Sequence, residues 1–209
     1  MKNKGFITFC LLFFALQIHA QSVETYAGHR RAGVDLMWFR YFKSATDQHS
    51  PFLFFSRNRA SVDYQNSPTA FGSTNAVSYN FDKGLGLVAV GSLVNTGFVP
   101  KAGVQYVHIK GDFLFFGWLV ADLKKEGNVD LFGMFRWQPA LGGPWRLFSQ
   151  VELFPVYQPK NELWSLTQRL RLGVRRQAWA LGAMADFNQS GKGELTQTHN
   201  LGGFVRYEF

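Results

Sequence analysis

The chain has 209 residues and a single cysteine, Cys10, so it cannot carry an intrachain disulfide, and a Cys-based metal site has no ligand set. Charge is also scarce. Asp, Glu, Lys and Arg together make 17 % of the residues, which excludes a disordered, highly charged chain and a heptad coiled coil rich in Glu and Lys. Nowhere do about 20 apolar residues follow one another, as a membrane helix requires, and the mean hydropathy is only −0.10. Beyond residue 20 no stretch has convincing helical periodicity. Gly-rich phosphate loops in a strand–turn–helix context and His pairs at metal spacing are missing, so no cofactor or metal is expected. What the sequence does have is aromatic side chains, 17 % of the total with 22 Phe, and 21 Gly. Many aromatics at near-neutral mean hydropathy imply that apolar and polar residues alternate.

The first twenty residues read as an address. Lys2 and Lys4 precede an apolar run from Phe6 to Leu16, and Ile18-His19-Ala20 places an aliphatic residue at −3 and Ala at −1. That is the layout of a secretory signal peptide cleaved after Ala20. Cys10 lies inside the apolar run after Phe9, too early to be a lipidated residue, and cleavage removes it. Cleavage also removes Lys2 and Lys4, lowering the formal charge from +8 to +6.

Residues 21–209 form one domain that reads as strands throughout. Apolar-rich segments separated by turn chemistry predict strands at 22–29, 33–42, 52–64, 71–81, 85–95, 102–110, 113–123, 129–138, 145–155, 163–175, 178–187 and 199–209. The count is twelve, with ten as the alternative. Alternation is clearest towards the C-terminus. Segment 163–175 sets Trp164, Leu166, Leu170, Leu172 and Val174 against Ser165, Thr167, Arg169, Arg171 and Arg175, and segment 145–155 sets Leu147, Val151 and Leu153 against Arg146, Gln150 and Glu152. Period two with one apolar face is strand periodicity. Segments 85–95 and 113–123 are apolar on both faces and cannot be oriented. Short links at 82–84, 110–112 and 176–177 alternate with longer ones at 65–70, 96–101, 124–128, 156–162 and 188–198, as expected of an up-and-down transmembrane barrel; the link at 43–51 breaks the rule.

Alternation does not by itself say which face meets water. Large aromatics at strand ends, among them Trp38, Phe39, Tyr41, Phe52, Tyr79, Phe81, Trp137, Trp145, Trp164, Trp179 and Tyr207, match the girdles of membrane barrels. About twelve apolar faces are also too many for the inside of a small soluble barrel. The last strand runs Leu201-x-Gly203-x-Val205-x-Tyr207-x-Phe209. In this the sequence resembles bacterial outer-membrane β-barrel proteins, whose final strand alternates apolar residues and ends on an aromatic one. The resemblance implies delivery by periplasmic chaperones, insertion by the barrel-assembly machinery into outer-membrane lipid, and an assembly signal made of Leu201, Gly203, Val205, Tyr207 and Phe209. Phe54-Phe55-Ser56-Arg57-Asn58-Arg59 and Ala185-Asp186-Phe187-Asn188-Gln189 further resemble small barrels of the Bacteroidetes outer membrane. The expected fold is therefore an all-β, antiparallel, transmembrane up-and-down barrel, closed between first and last strands because a free edge in lipid leaves backbone groups unpaired.

With Phe209 at the periplasmic end, the inward charges separate by height. Asp35, Asp63, Asp122, Asp130 and Asp186 are expected near the outer mouth, and Arg136, Arg146, Arg175 and Arg206 near the periplasmic end. Arg57, Arg59, Arg169 and Arg171 fall between, with Glu152 opposite Arg169. Two readings follow. One is a narrow porin-like channel for small, anionic solutes, lined by Arg57, Arg59, Arg136, Arg146, Glu152, Arg169, Arg171 and Arg206 below a mouth of Asp63, Asp122, Asp130 and Asp186. The other is a closed structural or accessory barrel in which these charges pair, with the bulky inward Phe132, Met134, Phe148 and Phe204. A remoter reading is a lipid-modifying enzyme at the outer rim, where His199 comes close in height to Asp186 and Ser190; no catalytic residue is assigned. The basic balance of an exported barrel does not point to nucleic acid. Solvated rim carboxylates are the simplest account of the Asp cluster.

Overall fold

The computed structural model describes residues 21–43, 49–65, 70–124 and 127–209; the expected signal peptide lies outside them. Thirteen strands follow in order: β1 (Ser22–Gly28), β2 (Arg31–Lys43), β3 (His49–Asp63), β4 (Ala70–Asn80), β5 (Leu85–Val94), β6 (Gly97–Lys110), β7 (Phe113–Asp122), β8 (Val129–Trp137), the short β9 (Ala140–Gly142), β10 (Trp145–Gln158), β11 (Leu163–Arg176), β12 (Trp179–Gly191) and β13 (Thr196–Glu208). Each of the twelve expected segments is a strand. Twelve strands pair antiparallel with their neighbours in a ring, and β9 is a small addition on the first residues of β10. The ring closes where β13 meets β1, from Ser22 opposite Glu208 to Gly28 opposite Gly202. A sheet without an edge is what a spanning structure needs in lipid.

The outer surface is the apolar one. Val34, Val77, Leu87, Val104, Leu119, Leu131, Leu153, Leu172, Leu181 and Val205 project from the wall with large exposed fractions. A continuous apolar belt of this kind is inconsistent with water on that side. Rings cluster around the end that carries Ser22 and Phe209. Phe52, Tyr79 and Phe81 meet edge to face, as do Phe113 with Phe135, Trp179 with Tyr207, and Tyr207 with Phe209. At the opposite end Trp164 stacks on Tyr157 at 4.5 Å. Phe39 is a correction to the expected girdle: it points inward and is buried.

The connections also differ from expectation. β5 and β6 are joined by Asn95 and Thr96 alone, β10 and β11 by residues 159–162, and β12 and β13 by residues 192–195. The strands run on into what composition marks as loop, because polar residues at the tip of a barrel strand are solvated there and need not leave the sheet. Alternation of short and long links is therefore not a property of this barrel.

β1 is about half as long as its neighbours. It turns at His29 and Arg30, and Asn200 of β13 completes the wall above it. The buried Asn200 carboxamide accepts from the N–H of Arg30 and Arg31 at 3.0 and 3.1 Å and donates to the Arg31 carbonyl at 3.1 Å. Gly33 on β2 makes room for Tyr26 of β1; a Cβ there would lie 2.4 Å from the Tyr26 hydroxyl and 2.5 Å from the Ala60 carbonyl.

Candidate functional site

The lumen divides into two sectors. One, on β2 to β8, is apolar: Phe39, Leu53, Phe55, Val90, Phe116, Trp118, Val120, Phe132 and Met134 are buried together. Phe55 stacks on Phe116 at 5.2 Å, and Trp118 packs on Phe132 at 4.9 Å. This sector orients the two segments that are apolar on both faces. In β5, Val88 and Val90 point in while Leu85 and Leu87 point out; in β7, Phe116, Trp118 and Val120 point in while Leu119 points out.

The other sector, on β1 to β3 and β10 to β13 with Arg136 of β8 at its edge, is charged. Arg169 faces Glu152 in the β10–β11 register, as expected, at 3.4 Å. Glu152 also accepts from Arg57 at 2.7 Å, and Arg57 forks onto Asp35 through Nε and Nη2. Arg59 lies 3.8 Å from Asp35 and donates to Asp186 at 2.9 Å and to the Tyr26 hydroxyl at 3.0 Å. Arg171 spans Asp186 at 2.7 Å and Glu24 at 2.8 Å. Arg206 holds the other oxygen of Glu24 and approaches Glu208 at 4.0 Å; Glu208 in turn binds Arg136 at 3.2 Å and Arg175. Among the described residues, seven guanidiniums and five carboxylates thus form one continuous alternating chain through the lumen. Buried charge is tolerated only when paired in this way, and the surrounding apolar sector strengthens each pair by excluding water. The chain is tightest towards the termini, where Phe148, Phe204, Glu24, Arg171 and Arg206 are almost wholly buried.

Several expected positions change. Asp186 and Asp35 are not at the mouth. Asp186 sits five residues below the tip of β12, opposite Arg169 on one side and Asn200 on the other, because β12 extends to Gly191. Asp63 does lie at the tip of β3, paired with Arg30 at 3.6 Å, and Asp122 and Asp130 clamp Lys101 at the same end. Arg146 is half exposed at the rim near the termini, bound to Asp112 and the Gln138 carbonyl rather than lining the interior. The expected basic lower lumen is partly offset by Glu24 and Glu208, which sequence reasoning did not use. Their signal was present: Glu208 shares a face with Arg206, and Glu24 alternates with Val23 and Thr25. Leu201, Val205, Tyr207 and Phe209 face outward while Phe204 and Arg206 face inward. His199 is exposed on the outer face, 5.2 Å from the ring of His29, whereas Asp186 is buried in the lumen. The His199, Asp186 and Ser190 constellation is therefore not assembled, since neighbouring positions in register still point to opposite sides of the sheet.

Above the tight region, at the end away from the termini, the lumen opens into a cavity of about 320 Å³. Arg57, Arg59 and Arg169 line one side, and Phe55, Trp118 and Phe132 the other.

No protein-family model matches the sequence, and no curated protein matches it. Among solved structures the chain is similar to the KdgM porin in complex with disordered oligogalacturonate, at 14 % identity and a TM-score of 0.51, covering 90 % of this chain and 99 % of that one. It is similar to a second structure of the KdgM porin at 15 % identity and a TM-score of 0.50, with the same coverage. The fold is that of an outer-membrane β-barrel. Such identities establish the architecture, and function must be argued from the lumen.

Proposed function

We propose that the protein is a narrow, porin-like barrel of a Gram-negative outer membrane that admits small anions. The observation that carries this is the arginine chain. Guanidiniums succeed one another from Arg169 at the cavity through Arg57, Arg59, Arg171 and Arg206 to Arg136 and Arg175, and they outnumber the carboxylates between them. A wall with surplus fixed cations and an apolar backing focuses potential on anions. The similar porin structure holds a polyanion, which agrees with this reading. In it, residues 1–20 are a cleaved signal peptide, and the C-terminal alternation ending at Phe209 is read by the barrel-assembly machinery and its chaperones. The cavity end faces outward.

A second reading rests on the burial of Phe148, Phe204, Glu24 and Arg206: a barrel closed by its own side chains, serving as an accessory to a larger assembly. Uptake of radiolabelled chloride and formate into liposomes carrying the refolded protein separates the two. Influx above empty liposomes supports the channel. Absence of influx, with a stoichiometric partner retained after mild detergent extraction, supports the closed barrel. No catalytic step is assigned to any residue.

A further inference from the structure

The cavity is built asymmetrically, and its cationic side has an incomplete set of partners. Arg169 stands in register between Glu152 on β10 and Asp186 on β12. Both carboxylates are committed elsewhere. Glu152 accepts from Arg57 at 2.7 Å and from Gln150 at 2.6 Å, and Asp186 gives one oxygen to Arg59 at 2.9 Å and the other to Arg171 at 2.7 Å. Among the described residues Arg169 keeps one long bond, 3.4 Å to Glu152. Its side chain is 23 % exposed, against 11 % for Arg57 and 14 % for Arg59. A guanidinium has five N–H donors in a planar fork that fits a carboxylate with two parallel bonds. Arg169 presents that fork to the cavity largely unfilled.

The facing side offers mostly rings, with the Lys101–Asp130 ion pair beside them. Phe55, Trp118, Phe132 and Phe154 line it, with Trp118 and Phe132 4.9 Å apart and Phe132 and Phe154 6.3 Å apart at a steep angle. An inserted ring finds both faces and edges there, the arrangement that aromatic pairs prefer. The hydroxyls on that flank, Thr74 and Ser92, lie 3.4 Å from one another. The volume, about 320 Å³, is at the lower end of small-molecule pockets. We propose that this vestibule is a binding site for an aromatic carboxylate of one or two rings, its carboxylate on the Arg169 fork and its ring against Trp118 and Phe132. The inference rests on the anion reading of the lumen but not on passage through it.

The test is calorimetric titration of the full chain in lipid nanodiscs with 2-naphthoate, using empty nanodiscs as the blank. Saturable binding is expected, with at least tenfold weaker binding of the neutral 2-naphthylmethanol, of decanoate and of galacturonate. Arg169→Gln should weaken 2-naphthoate at least tenfold, Arg169→Lys less so, and Phe132→Leu severalfold. Heat-modifiable migration in gels shows whether each variant has kept its barrel. Equal binding of decanoate, preference for galacturonate, or affinity unchanged in a folded Arg169→Gln protein would overturn the proposal. Saturable naphthoate binding by a barrel that passes no anions would uphold the site and defeat the channel. Anion passage without naphthoate binding would do the reverse.

Discussion

Glu24 is the carboxylate on which the lower lumen depends, and Glu24→Gln isolates its charge at nearly constant volume. It is 1 % exposed and accepts three charge-assisted bonds: from Arg171 Nε at 2.8 Å, from Arg206 Nε at 2.9 Å and from Arg206 Nη2 at 2.5 Å. The amide oxygen can keep one acceptor role, while its NH₂ turns a donor towards a guanidinium. Arg171 retains Asp186, but Arg206 is left with Gln150 at 2.8 Å and a distant Glu208. Removing one partner of a buried pair costs about 3–5 kcal/mol because the remaining charge stays buried and uncompensated. The cost should appear in reversible urea unfolding of the protein in lipid vesicles, followed by tryptophan emission. Combining Glu24→Gln with Arg206→Met should recover much of the loss, since the orphaned charge is then gone, whereas Arg206→Met alone should not be neutral. A Glu24→Gln loss below about 1 kcal/mol would refute the reasoning, as would additivity of the two substitutions, because coupled partners deviate from additivity.

Leu153→Arg places a cation in the middle of the lipid-facing belt and should cost about 2–4 kcal/mol in the same unfolding assay; no loss would mean that this face is not in hydrocarbon. Asn200→Leu removes the three bonds that complete the wall above β1. At about 1–3 kcal/mol for each buried group left unsatisfied, it should destabilise strongly and speed amide exchange at Arg30 and Arg31. Gly33→Val should prevent Tyr26 from reaching Arg59 and lower the yield of heat-modifiable barrel. Deleting Phe209 should slow insertion into liposomes carrying the assembly machinery while leaving spontaneous refolding in detergent little changed.

The sequence exposes its architecture where the two faces differ in polarity. Segments such as 163–175, with leucines opposite arginines, yield strand, orientation and the Glu152–Arg169 pairing together. Where the lumen is itself apolar the signal vanishes: Val88, Val90, Phe116, Trp118 and Val120 face inward from strands whose outer residues are equally apolar, so period two cannot be read. Depth was the other casualty. Asp186 looks like a mouth residue only if its strand stops near 187, and the strand continues through Asn188, Gln189 and Ser190. The ion-pair chain itself depends on side chains reaching across the lumen, such as Arg57 to Glu152 and Arg171 to Glu24, and alternation within single strands carries no record of such partners. The His199 constellation shows the converse error, since agreement in height means nothing when side chains leave opposite faces of the sheet.

The central claim is that the fixed cations of the lumen select anions. The most direct measurement is the zero-current potential of the refolded protein in a planar bilayer under a potassium chloride gradient. The account predicts small conductance steps with a potential of anion-selective sign that collapses towards zero in the Arg57→Gln, Arg169→Gln double variant. A cation-selective sign, a potential unchanged in a folded double variant, or a membrane that stays silent would contradict it.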